Sequence, residues 1–430
     1  MKVERPKPGA VPSHVEAADG ITEPPAPAAR RQAAREGFQY CLKVFVGVRV
    51  GLALIALLGV ALLPDFSHVG AGARAALPLI PHPVSVPGWP AHPISPGWHN
   101  LFTAWERLDA LWFLRIATGG YATTDASAAF FPLYPMAIRV VSFLIGGHPF
   151  AASLLISNGA FLAALFVMYQ LTRSELSEET ARRAVLYAAV FPTALFFFAP
   201  YSESLFFLLV LASFWAARRE RWAAAGVSAA LAALTRNVGA FMVLPLALEA
   251  LHRTLQSKPR RWRVQGFAWS LAPVAATLGY LWYWKAKSGD WLAPLHKQTA
   301  WQRQLGSPVT ALTRGTRLAF RYIGTYPGGY HSLDWLIAVP VLAAGVYAVA
   351  KFRPSYAVYV WASILVPLSS QFAGRPLIAF SRYALPIFPM YWAFAKWTER
   401  SRVRHEVLVA VSAALLGVMT LLFVNWYYVI

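Results

Sequence analysis

Apolar residues in this chain fall into long runs separated by short polar connectors. The first run, 43–63, is long enough to cross a hydrocarbon core of about 30 Å at about 1.5 Å of helix per residue. Others lie at 129–147, 149–171, 184–199, 203–217, 223–235, 238–251, 265–286, 333–350, 356–372, 384–395 and 406–427. The pattern predicts an all-α polytopic membrane protein. Residues 1–37 hold Pro, Ala and charge with no apolar stretch. They are expected to form a disordered cytoplasmic tail before a membrane domain spanning 38–430.

The connectors sort by charge. Segments 172–183, 218–222, 252–264, 351–353 and 396–405 hold 17 Lys and Arg in 43 residues. Segments 65–148, 200–202, 236–237, 287–332 and 373–382 hold 13 in 145. The first set is expected inside, with the N-terminus. The chain then leaves the first span outside and is inside by Arg173, so an odd number of crossings lies between. Of the two runs available, 129–147 carries Pro132, Pro135 and Arg139 and suits a helix along the outer interface. The expectation is eleven spans and two large outer loops, 65–148 and 287–332. The first contains a Pro/His-rich insert at 78–98, and Arg314, Arg317 and Arg321 mark an amphipathic stretch in the second.

Composition agrees. Of 430 residues, 57% are hydrophobic and 13% charged, against about 25% charged in soluble domains. The single cysteine, Cys41, excludes a disulfide framework and a thiolate zinc site. The net charge of +20 reads as cytoplasmic cations and an outer face suited to phosphate, with no nucleic-acid partner expected. An Ala/Arg-rich chain without a targeting peptide suggests a bacterial plasma membrane.

Outer-side acids are few: Asp65, Glu106, Asp109, Asp125, Glu203, Asp290 and Asp334. Asp109 shares a helical face with Trp112, Phe113 and Ile116. An acid there must be paired, for instance with Arg107 or Arg115, or functional. Glu203 follows Pro200-Tyr201-Ser202 and opens a run, as a helix-capping acid would. Arg382 and Arg236 stand at outer span ends and suit phosphate, because a guanidinium fork binds two oxygens at once. The competing reading is snorkelling to lipid head groups. His331, His296, Lys297 and Arg375 are weaker candidates. No nucleotide, dinucleotide, zinc-protease or Gly-x-Ser-x-Gly motif occurs, and cytoplasmic loops of at most 13 residues leave no room for a folded domain.

Several segments carry a resemblance: 108–117 (Leu108-Asp109-Ala110-Leu111-Trp112-Phe113 through Ala117) with Gly120-Tyr121; 130–135 (Phe130-Phe131-Pro132-Leu133-Tyr134-Pro135); 191–197 with 199–205, around Pro192-Thr193 and Tyr201-Ser202-Glu203; Leu234-Thr235-Arg236-Asn237; and Ser381-Arg382-Tyr383 with Phe388-Pro389. In this order they resemble the PIG-V type mannosyltransferases (GPI mannosyltransferase 2-like) of the GT-C glycosyltransferase superfamily. Leu108 stands where that family usually has Trp, and Asn237 where it usually has Pro.

The resemblance implies a GT-C-like fold and a polyprenyl-phosphate-mannose donor. It also implies inverting transfer to a lipid- or envelope-linked glycan outside the membrane. On that basis Asp109 is the general base and Glu203 its support or an orienter of acceptor hydroxyls. Arg382, then Arg236, hold the donor phosphate. Tyr201, Tyr383, Trp112 and His331 are candidates for substrate contact. No cofactor is expected, and two outer acids without a third ligand do not indicate a metal. Another polyprenyl-linked sugar remains open as the donor. A lipid-linked sugar transporter is the alternative from another class, disfavoured because the charges gather at span ends rather than mid-membrane.

Overall fold

A computed structural model describes residues 27–62, 99–255, 260–325, 328–372 and 374–427. The 78–98 insert, most of the expected tail and Asp65 lie outside the described residues. The tail ends sooner than expected. A helix runs Pro27–Leu62, so residues 27–37 form its first turns. Ala, Arg, Gln and Glu are strong helix formers, and Gln32 donates to Glu36 one turn on at 3.0 Å.

Among the described residues, five helices are long and apolar enough to cross a membrane: Arg31–Leu62, Pro149–Glu175, Asn237–Leu255, Gly329–Lys351 and Arg402–Val424. The first leaves Val46, Val50, Leu54 and Leu58 exposed, a stripe at helical spacing suited to lipid. It packs along the Arg402–Val424 helix. The other expected spans are shorter or interrupted. The 184–199 run is not one helix. Glu178–Val190 stops at Phe191-Pro192, and a single turn follows at Leu195–Phe198, because proline disfavours the helical conformation of the residue before it. The 265–286 run divides into Arg260–Ser270 and Ala272–Ser288, with Pro273 just inside the second helix, where a missing N–H costs nothing. Leu133–Leu144, within the 129–147 run, has 12 residues, about 18 Å, well short of the core thickness.

The helix Glu203–Arg218 relates the two ends of the bundle. Its 16 residues separate Glu203 from Arg218 by about 22 Å. At the Arg218 end the basic connectors meet. Arg218 reaches Glu175 at 2.5 Å and Glu249 at 3.3 Å, while Arg353 reaches Glu175 at 3.5 Å and Arg253 reaches Glu220 at 3.4 Å. Arg183 donates to the Thr398 carbonyl at 2.6 Å. All five expected cytoplasmic connectors are therefore tied together. Between the ends lies an aromatic core in which Phe161 stacks on Phe197 and Phe197 on Phe207, centroids 4.4 and 5.0 Å apart.

The segment 287–325, within the expected second outer loop, crosses the Glu203 end. Within it, Arg303–Leu305 pairs antiparallel with Ser370–Phe372 in a two-stranded ribbon, Arg303 opposite Phe372. The helix Pro308–Arg321 follows. It buries Ala311, Gly315 and Ala319 and exposes Arg314, Arg317 and Arg321, the amphipathic stretch expected there.

Candidate active site

Four charged side chains meet at the Glu203 end, each delivered by a chain break that its local sequence dictates. Asp109 begins the helix Asp109–Gly119, and Leu108 before it has φ +54°. Glu203 begins its helix after the irregular stretch 191–202. Side chains satisfy that stretch's carbonyls: Ser157 donates to Tyr201 O at 3.1 Å, Asn158 to Phe198 O at 3.1 Å and Ser204 to Phe197 O at 2.6 Å. Buried backbone outside regular structure needs such partners. Arg236 is the extended residue that ends Trp222–Thr235. Arg382 sits on the short helix Phe380–Ala384, launched by Ala379 at φ +62° and held by Thr193 donating to Ser381 O at 2.9 Å.

Arg382 lies at the centre. Its Nη1 donates to Asp109 Oδ2 at 2.5 Å, across 273 residues of sequence, and its Nε to Glu203 Oε1. Arg236 Nη1 donates to the same Glu203 oxygen at 2.5 Å and to Ser202 Oγ at 3.3 Å. Two arginines and two carboxylates leave the set formally neutral. Burial differs within it: Glu203 is 0% exposed and the Asp109 side chain 19%. The rings of Tyr201 and Phe196 lie under the Arg382 guanidinium at 4.6 and 5.3 Å, a cation–π floor that fixes its plane. Arg382 Nη2, Arg236 Nη2 and Asp109 Oδ1 have no hydrogen-bond partner among the described residues.

These groups border a cavity of about 760 Å³, within the range of small-molecule sites. Its polar side carries Asp109, Arg236, Arg382, Tyr383, His296 and Arg303; Phe113, Phe131, Phe241 and Leu365 are among its apolar lining. Asp290, exposed beside it, accepts from His296 at 2.8 Å. That bond, with one from the Leu292 amide, holds the Asp290 carboxyl below its ordinary range. Glu106, in the connector before Asp109, is pushed up to about 7 by burial, against the opposing pull of Arg107.

Asp109, Arg382, Arg236 and Tyr383 thus meet at the cavity, and four other candidates lie away from it. Glu203 does not line the cavity. Its carboxylate accepts from both arginines behind it. Tyr201 is also behind them, its hydroxyl donated to Arg107 O at 3.0 Å. Trp112 is fully buried and stacks on Phe130 at 5.6 Å, one layer back from the space. His331 is buried on Gly329–Lys351 beside Tyr322 and does not line the cavity. The possible partners of Asp109 are used elsewhere. Arg115 pairs with Asp125, and Arg107 donates to Val424 O at 3.0 Å and Thr103 O at 2.7 Å. Arg375 is locked to Asp334. Arg303 was not foreseen, since it belongs to no motif and only strand pairing brings it to the cavity. Among the described residues, no group of three or more His, Cys, Asp or Glu is placed to hold a metal ion.

Asp109, Glu203 and Arg236 lie in a segment that is similar to a known family. Residues 54–263 match the family Mannosyltransferase (PIG-V). The resemblance read from the motifs therefore holds over that stretch. No curated protein matches the chain. Among solved structures, it is similar to ArnT from Cupriavidus metallidurans bound to undecaprenyl phosphate, at 16% identity and TM-score 0.47, covering 87% of this chain and 63% of that one. It is also similar to the Archaeoglobus fulgidus oligosaccharyltransferase with zinc and sulfate, at 13% identity and TM-score 0.39, covering 87% of this chain and 53% of that one. Archaeal AglB from the same organism, with an inhibitory peptide and a dolichol-phosphate, matches at 13% identity and TM-score 0.40, covering 89% and 55%. The chain spans 63% and 53% of the length of the first two.

Proposed function

We propose that this chain is a membrane glycosyltransferase that moves mannose from polyprenyl-phosphate-mannose to a hydroxyl of a lipid- or envelope-linked glycan, outside the plasma membrane and with inversion. The observation that carries the reading is Asp109, held by Arg382 at the cavity edge with one oxygen unbonded. The family match supports the sugar.

In this reaction the acceptor oxygen attacks the anomeric carbon as the bond from that carbon to the phosphate oxygen breaks. The electron pair leaves with the polyprenyl phosphate, and the hydroxyl proton passes to Asp109 Oδ1. A carboxylate held by a guanidinium is fixed in one orientation, and a general base must lie within hydrogen-bond reach of the proton it takes. Glu203 balances the second positive charge and keeps both arginines in place without meeting substrate. The free Nη2 groups of Arg236 and Arg382 suit an anionic oxygen. Fixed donors of this kind stabilise charge that grows in the transition state without reorganising. The apolar lining suits a polyprenyl tail.

The test is label transfer from radiolabelled polyprenyl-phosphate-mannose to a membrane lipid extract, by purified protein in lipid. Wild type should make a new labelled glycolipid and Asp109→Asn should not. Transfer by Asp109→Asn at more than about a tenth of the wild-type rate would refute the base, given effects of about 10²–10⁴-fold for such groups. Transfer only from a different polyprenyl-linked sugar would correct the donor.

A further inference from the structure

The neutral four-residue set leaves open what receives the charge of a donor phosphate. A sugar phosphodiester carries one negative charge. The monoester left after transfer carries about −1.5 to −2 at neutral pH. Arg382 has two of its three nitrogens committed to carboxylates, and the set as a whole adds no net charge. Outside it, Arg303 is the one Lys or Arg that lines the cavity among the described residues. No carboxylate pairs with it there, and its guanidinium lies over the Tyr383 ring at 5.8 Å. Arg236 lies over the same ring at 4.7 Å. Tyr383 thus spaces two guanidiniums that border one cavity.

The backbone holds Arg303 there. Its strand pairs with Ser370–Phe372, Gly306 N donates to Ser369 O at 2.9 Å, and Gln371 Nε2 donates to Ser307 O at 2.5 Å. An arginine meant only for solvent needs no such clasp, and an arginine facing an apolar-lined cavity without a counter-ion is a standing invitation to an anion.

We propose that Arg303 binds the phosphate of the lipid-linked donor, sharing it with Arg236 across Tyr383, and takes up the charge that grows on it as the sugar leaves. This rests on reading the cavity as a lipid-phosphate site. The probe is undecaprenyl phosphate, titrated against the full-length protein in lipid nanodiscs, with the uncharged polyprenol of equal length alongside. Wild type should prefer the phosphate. Arg303→Ala should weaken the phosphate by about 10- to 100-fold, the range of a hydrogen bond to a charged group, and leave the alcohol unchanged. Arg303→Lys should recover part of the loss as a point charge, and Arg317→Ala, on the exposed face of the neighbouring helix, should lose nothing. Equal phosphate binding by wild type and Arg303→Ala would overturn the assignment alone. Equal loss of phosphate and alcohol would make Arg303 structural and overturn it as well. No phosphate binding by wild type would overturn the lipid-phosphate reading of the cavity, and the assignment with it.

Discussion

Arg375 and Arg382 stand on the same connector, and each is buried against carboxylate, yet the two sites differ in kind. Arg375 makes a closed fork with Asp334: Nε to Oδ2 at 2.6 Å and Nη2 to Oδ1 at 2.7 Å, with side chains 0% and 1% exposed. Both carboxylate oxygens are used, and neither residue lines the cavity. Arg382 divides its fork between carboxylates from two elements, and one of these keeps an oxygen free at the cavity. Bidentate closure holds helices together. The divided fork leaves an acceptor oxygen and a donor nitrogen unspent at the cavity. The same residue types therefore close on each other in one place and keep hydrogen-bonding capacity in the other, as the proposed chemistry needs.

Exchanging the roles by mutation is the strongest way to break this comparison. Asp109→Asn is expected to lower the transfer rate by about 10²–10⁴-fold while the folded yield by size-exclusion stays at wild type. Asp334→Asn should do the reverse, costing about 3–5 kcal/mol of stability because it removes the carboxylate charge from a buried ion pair. A folded yield unchanged in Asp334→Asn, or collapsed in Asp109→Asn, would erase the distinction.

A smaller effect sharpens it through pH. The folded state holds the Glu106 proton up to about pH 7, whereas an unfolded carboxyl releases it near 4.3. Folded protein binds more protons in that window, so Glu106 makes stability fall as pH rises through it. Thermal midpoints measured from pH 5 to 8 should show this slope in wild type and a shallower one in Glu106→Gln. Parallel curves would rule out Glu106 as its source. The smallest effect belongs to the backbone that launches Arg382. Ala379 has φ +62°, where a side chain costs about 1 kcal/mol. Ala379→Gly should raise the melting temperature slightly; a fall would mean that the lost methyl packing outweighs the relief.

Much of the site was legible because charge is scarce in an apolar chain. Asp109, Arg236 and Arg382 stand out from the runs around them, and their assembly matches that reading. Position along the chain failed for residues whose role depends on depth. Glu203 sits at a helix start, as a capping acid would, yet its carboxylate turns inward to two arginines from distant segments. Tyr201 and Trp112 flank the charged positions in sequence but lie one layer behind the cavity in space. His331 follows a segment that reaches the cavity at Arg303, but it is itself buried in the helix Gly329–Lys351.

Most of the helices, the apolar surfaces suited to lipid and the division of connectors into strongly and weakly basic sets can be read from the residues alone. Those properties follow from composition and periodicity within a few turns of chain. Which carboxylate meets which guanidinium, which oxygen stays free and how the strand Arg303–Leu305 carries Arg303 to the cavity come from the packing of distant segments. An ion pair across 273 residues leaves no local periodic trace; it forms because helices pack to bury apolar area, and their ends then bring the charges together.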